Sequence, residues 1–122
     1  RSARPQIGRF RQQCEYVLFA TKGRFIPHTR ACLPGVYDYP VIAAKKVHLT
    51  SKPAELIEDL LAVTAPQASV LDPFMGGGSV GEACIRTGRR YIGMELSAEY
   101  FEISRARLEN VLAECGQRPD TH

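Results

Sequence analysis

Residues 69–95, SVLDPFMGGGSVGEACIRTGRRYIGME, decide the fold. Residues 69–71 form a short apolar run that reaches Asp72. The turn that follows, Pro73 to Gly78, cannot prolong it: proline has no amide donor, and consecutive glycines favour a bend. Residues 79–87 then carry helical spacing and are closed by Gly88, the residue type that ends helices in the left-handed conformation. Residues 90–94 are a second run of strand length, and Glu95 stands at its end. Strand, glycine turn, helix, strand predicts two parallel strands joined by a crossover helix.

Downstream, Ser97 is placed to cap a last helix running to about Glu114, with Phe101, Ile103, Ala106, Leu108, Val111 and Leu112 as its apolar positions. Upstream, Ser51-Lys52-Pro53 reads as a helix start: a hydroxyl cap, a proline for the first turn, and Glu55, Glu58 and Asp59 for the positive dipole end. Leu56, Ile57, Leu60, Leu61 and Val63 give that helix its stripe, and Pro66 stops it. Residues 15–20, EYVLFA, read as a buried strand ended by Lys22-Gly23. Pro27, Pro34, Gly35 and Pro40 make residues 24–47 a loop. The fold class expected is α/β: a Rossmann-like βαβα core with one additional N-terminal strand, within a single domain over residues 1–122. Residues 1–23 are a basic arm and strand, 24–47 the loop, and 48–122 the main α/β part.

A chain of 122 residues with 44% hydrophobic content is one domain with a real core. It has no run of about 18 apolar residues, so no spanning helix is expected, and its basic N-terminus lacks the apolar centre of a secretory signal. Starting at Arg1, it reads as a piece of a longer protein. Cys14, Cys32, Cys84 and Cys115 have no metal-ligand spacing, so inert thiols in a reducing cytoplasm are expected, with no metal. The net charge of +3 conceals an asymmetry. Residues 1–52 carry +8, from ten Lys/Arg against Glu15 and Asp38, and residues 53–122 carry −5. The basic half suits a polyanion such as nucleic acid.

The chemistry gathers around the glycine turn. In open α/β sheets, ligands lie beyond the carboxyl ends of the strands. Gly76 and Gly78 let a ligand approach the backbone, and the following helix start favours an anionic group. Ser79 either caps that helix or meets the ligand. Glu95 stands 19 residues after Gly76, close to the ~20-residue interval at which an acid reaches a ribose diol. Residues 76–81 also satisfy the G-x-G-x-x-G dinucleotide fingerprint, so a nicotinamide or flavin dinucleotide is an alternative. Asp72 argues against it, because a carboxylate there repels a pyrophosphate and attracts a cation. S-adenosylmethionine, a nucleoside with a sulfonium and an ammonium, fits acids at both strand ends.

The run VLDPFMGGGSVGEACIRTGRRYIGMELSAEYFEISRARLE, residues 70–109, resembles the cofactor-binding half of the DNA amino-methyltransferases, which methylate adenine N6 or cytosine N4. Their signature, D-P-F-x-G-x-G and then a strand ending in G-x-E, is matched by Asp72 to Gly78 and by Gly93-Met94-Glu95. His48-Leu49-Thr50-Ser51-Lys52-Pro53 is similar to the family's H-x-T-x-K-P element. Residues 10–23, FRQQCEYVLFATKG, resemble the strand before its target-recognition segment. Together these cover about residues 4–112. The resemblance implies that Asp72 and Phe74 border the methionine and adenosine parts of S-adenosylmethionine, with Gly76 and Gly78 beneath it. It implies that Glu95 holds the ribose hydroxyls, Leu96 packs on adenine, and Thr50 and Lys52 reach the carboxylate. His48 reads as structural rather than as a ligand.

The same resemblance makes residues 24–47 a short target-recognition stretch, in which Arg24, His28, Arg30, Lys45 and Lys46 meet double-stranded DNA. The family's catalytic element is Asp, Asn or Ser followed by Pro-Pro and an aromatic residue, which stacks on a flipped base. This chain has no Pro-Pro. It therefore reads as a C-terminal portion in the permuted order, with the catalytic half of the same protein as its partner and no methyl transfer expected from the chain alone. A homodimer is implied by resemblance. A DNA-binding remnant without catalysis is the non-enzymatic alternative.

Overall fold

The computed structural model describes residues 7–8, 14–39 and 52–116. Its elements are α1 (Ala54–Leu61), β1 (Ser69–Asp72), α2 (Ser79–Arg86), β2 (Arg90–Gly93) and α3 (Ala98–Gly116). β1 and β2 are parallel, with Ser69 opposite Arg90 and Asp72 opposite Gly93. The β-α-β-α order and the parallel pairing expected from residues 69–95 are therefore present.

The two strands alternate in burial. Val70 and Tyr91 turn toward the helices, where they pack with Ile57 and Val80 around buried Leu61, Ala83 and Cys84. Leu71 and Ile92, directly paired across the sheet, lie exposed on the other face. Helix α2 sits in the middle, touching α1, α3 and β2. Its Gly81 permits that closeness, since a Cβ there would lie 2.8 Å from both Leu108 Cδ1 on α3 and Tyr91 Cε1 on β2. Arg89 closes the far end of α1. Its guanidinium donates to the carbonyls of Leu61 at 2.9 Å and Thr64 at 3.2 Å, and to the Thr64 hydroxyl at 2.7 Å. The Leu61 carbonyl also accepts the Thr64 amide at 2.9 Å, so Arg89 adds to a turn that already closes the helix end.

Several expectations need correction. Residues 15–20 are neither strand nor buried: Tyr16, Val17, Leu18 and Phe19 are exposed. β-forming side chains make a strand only when a neighbouring strand takes up the backbone bonds, and among the described residues β1 and β2 pair with each other alone. The longer stretch 14–39 is instead fastened near its two ends, by an ion pair from Lys52 to Glu15 and a hydrogen bond from the Tyr39 hydroxyl to Asp59. Phe19 and Phe25 meet edge to face at 5.5 Å. Helix α1 begins after Pro53 with no side-chain cap, and only Glu55 of the three acids is in its first turn. Ser51 lies outside the described residues. Helix α2 likewise starts after Gly78 without a side-chain cap, so Ser79 does not cap it. Ser97 does cap α3, accepting from the Tyr100 amide at 3.4 Å. Helix α3 is turned differently from its apolar pattern: Ser104 and Val111 are buried, whereas Phe101, Ala106 and Leu112 face outward. No helix among the described residues is long and apolar enough to cross a membrane.

Candidate cofactor site at the glycine turn

The turn between β1 and α2 is shaped from three sides. From β2, the Met94 carbonyl accepts the Met75 amide at 2.9 Å, and the Asp72 carbonyl accepts the Met94 amide at 2.9 Å, so the sheet pairing runs on into the turn. Within the turn, Asp72 Oδ1 accepts the Phe74 amide at 3.1 Å, an Asx-type bend of the kind aspartate favours. Gly76 and Gly78 sit at φ +52° and +76°, a left-handed backbone in which a side chain is strained. The third side is α3. Ser104 donates its hydroxyl to the Gly76 carbonyl, and Arg107 donates to the Gly77 carbonyl at 2.7 Å. Gly78 is buried directly beneath: a Cβ there would lie 3.3 Å from the Ser104 Cβ. A small side chain at 104 is what allows the helix to approach so closely.

The two acids close this arrangement. Glu95 Oε2 accepts the Gly76 amide at 2.8 Å, while Oε1 accepts the Ser97 amide at 3.0 Å, so one carboxylate ties the glycine turn to the start of α3. Asp72 Oδ2 accepts the Tyr91 hydroxyl at 3.2 Å from the neighbouring strand. A cleft of about 170 Å³ opens on the Asp72 side, between the glycine turn and α1. It is lined by Lys52, Ile57, Asp72, Phe74, Met75, Gly76, Gly77, Ser79 and Val80. That is below the roughly 300–1,000 Å³ of small-molecule pockets, as expected if it takes only one end of an extended ligand. Phe74, 88% exposed, stands at its rim, and Leu96, 102% exposed, lies beyond it as bare apolar surface.

An ion cluster braces the back of the site. Glu82 on α2 is held by Arg107 at 2.6 Å and by Arg86 at 2.9 Å. Burial works to raise the Glu82 carboxyl, but the hydrogen bonds from Arg107 and Arg86 outweigh it and hold the group below its ordinary value. Burial pushes the Cys84 thiol up. No group of His, Cys, Asp and Glu able to hold a metal occurs among the described residues.

Of the residues singled out from the sequence, Lys52, Asp72, Phe74 and Gly76 come together on the cleft. Gly78 lies just behind them and Glu95 bonds the turn. Leu96 follows on the exposed surface. Arg24, His28 and Arg30 are exposed on the extended N-terminal segment. Lys45, Lys46, His48 and Thr50 lie outside the described residues. Sequence reasoning missed Tyr91, Ser104 and Arg107. For Ser104 a signal existed: a small hydroxyl three residues before an arginine, inside an otherwise apolar stripe.

A model of the DNA methylase family matches residues 29–106 of the chain. The chain is 35% identical over 89 residues to the DNA adenine methyltransferase YhdJ of Escherichia coli (strain K12), which covers 68% of this chain and 30% of that protein. It is 46% identical over 63 residues to the type II methyltransferase M.Cfr9I of Citrobacter freundii, covering 51% of this chain and 21% of that one. The chain thus spans less than a third of either relative. Among solved structures, that of an M1.HpyAVI–SAM complex superimposes with a TM-score of 0.52 at 36% identity, over 60% of this chain and 36% of the other.

Proposed function

The chain belongs to the DNA methylase family, and from that premise we propose that it is the cofactor-binding portion of an enzyme that methylates the exocyclic amine of adenine or cytosine in double-stranded DNA. The methyl donor is S-adenosylmethionine. The observation that carries this reading is the pair of carboxylates, Asp72 and Glu95, at adjoining strand ends with the Gly76–Gly78 backbone between them. A dinucleotide phosphate has no use for the first of these charges; a cationic nucleoside has use for both.

Each residue has a task that its surroundings suit. Asp72, on the cleft, faces the ammonium and sulfonium end. Lys52 reaches the cofactor's carboxylate by exchanging or sharing its ion pair with Glu15, and Thr50 joins it there. Glu95 takes the ribose hydroxyls: a carboxylate has about four lone-pair sites and can accept them beside, or in place of, its two amide bonds. Phe74 and Leu96 supply the apolar surface for adenine. Bound S-adenosylmethionine supplies an electrophilic methyl group; these residues fix its direction, and alignment with the incoming nitrogen lowers the barrier. The amine-polarising element belongs to the catalytic half of the same protein, and Arg24, Arg30, Lys45 and Lys46 meet DNA phosphates or base edges. The setting is the cytoplasm.

Titration calorimetry with S-adenosylhomocysteine tests the reading. The chain binds it, and Glu95→Gln and Asp72→Asn each weaken binding about tenfold, the loss of one charge-assisted hydrogen bond. Wild-type affinity in both variants, or binding of NAD in its place, refutes it.

A further inference from the structure

Tyr91 is half-buried, belongs to β2, and has no role toward the cofactor in the reading above. Its ring is confined on two sides by glycines. A Cβ on Gly81 of α2 would lie 2.8 Å from Tyr91 Cε1, and a Cβ on Gly93 would lie 2.8 Å from the same atom and 2.5 Å from Tyr91 Oη. Any side chain at either position invades the ring's space. The strand register sets Asp72 opposite Gly93, two residues beyond Tyr91 on the same face, so the phenol runs along the sheet over Gly93 to the carboxylate. There its hydroxyl donates to Asp72 Oδ2 at 3.2 Å, while Oδ1 takes the Phe74 amide. Asp72 is therefore gripped at both oxygens, one by the turn and one by a ring that two glycines keep in place.

We propose that Tyr91 is a positioning residue for the cofactor's amino-acid end: seated between Gly81 and Gly93, it fixes the Asp72 carboxylate in the orientation that receives the ligand's ammonium. This rests on the cofactor reading given above. Tyr91 itself need not touch the ligand. Burial, and then the nearby Asp72 charge, push the phenol well above its ordinary range, which keeps it a donor.

The experiment compares two ligands on wild type and Tyr91→Phe, which keeps the ring and removes only the hydroxyl. S-adenosylhomocysteine carries the ammonium; 5′-methylthioadenosine keeps the adenosine and lacks the amino-acid part. The expected result is a loss of about fivefold to tenfold for the first, less than a whole hydrogen bond to a charged group because Tyr91 acts through Asp72, and less than twofold for the second. Equal losses for both ligands, or none for either, overturn the positioning role. A second measurement needs no ligand. In ultraviolet titration the raised Tyr91 phenol vanishes in Tyr91→Phe and moves down in Asp72→Asn, while the Tyr39 phenol, pushed up to about 12 by its bond to Asp59, is the same in all three proteins. If Asp72→Asn leaves the Tyr91 phenol unmoved, the contact is absent and the proposal fails. A wild-type chain that binds neither ligand but shows this coupling refutes the cofactor reading and leaves the Tyr91–Asp72 pairing standing.

Discussion

Replacing Gly93 by alanine probes the packing on which the site rests. The new methyl would sit 2.5 Å from Tyr91 Oη, 2.8 Å from Tyr91 Cε1 and 2.6 Å from Met75 Sδ. The methionine is unbranched and can turn aside. The tyrosine is less free, because its ring is also close to Gly81 of α2 and its hydroxyl is bonded to Asp72. Overpacking of this kind costs about 1–3 kcal/mol, and displacing the hydroxyl from Asp72 adds about 1 kcal/mol. Alanine recovers roughly 0.5–1 kcal/mol of backbone entropy over glycine within a strand. The net expectation is a destabilisation of about 1–3 kcal/mol, read as a lower urea midpoint at unchanged slope. Pairing the change with Tyr91→Val removes the obstructing ring, so the double variant should be more stable than the sum of the single effects by about 1 kcal/mol. A Gly93→Ala protein within about 0.5 kcal/mol of wild type, or strict additivity in the double variant, would refute the account of the Tyr91 seat.

Arg89→Ala removes the guanidinium that bonds the Leu61 and Thr64 carbonyls; because Leu61 O keeps the Thr64 amide, the expected cost is about 1–2 kcal/mol by thermal unfolding, and Arg89→Lys, a point charge without the fork, restores only part of it. Glu82 predicts an acid-sensitive fold. Its carboxyl is held below the ordinary value near 4.5, so its contribution is complete above that value and is lost as pH falls through the lowered one. Urea midpoints measured from neutral to acid pH should fall over that window in wild type and fall less in Glu82→Gln; parallel curves would show the pairing with Arg86 and Arg107 to be without effect on stability.

The α/β core was legible because its punctuation is chemical. Pro73, Gly76, Gly78 and Gly88 stand where the backbone must turn or reverse hand, and the apolar runs on either side of them, in β1 and β2, are too short to be helices. The placing of the acids was legible for a related reason: each follows an apolar strand, so both arrive at the glycine turn, where Asp72 takes the Phe74 amide and Glu95 the Gly76 amide. What escaped notice depends on distances between elements, which local pattern does not encode. Tyr91 reads as an ordinary strand aromatic until the register shows Asp72 at its tip. Ser104 reads as a break in the stripe of α3, yet it is the centre of the buried face, since only a small side chain lets that helix reach the glycine turn. Phe101 and Leu112 were placed inward by hydrophobicity and turn outward for the same reason. Residues 15–20 failed differently: Val17 and Phe19 favour extended backbone but cannot supply the neighbour that a sheet requires.

The face of the sheet away from the helices has a practical consequence. Leu71 and Ile92 lie side by side in the open, on a ribbon of two strands in which neither strand is flanked by a third among the described residues. Unshielded strand borders recruit further strands, including those of other molecules, and bare aliphatic surface beside them strengthens the attraction. Handled in isolation at high concentration, the chain will tend to stick to itself through this ribbon, so dilute samples and a lysine in place of Leu71 or Ile92 are the natural remedies.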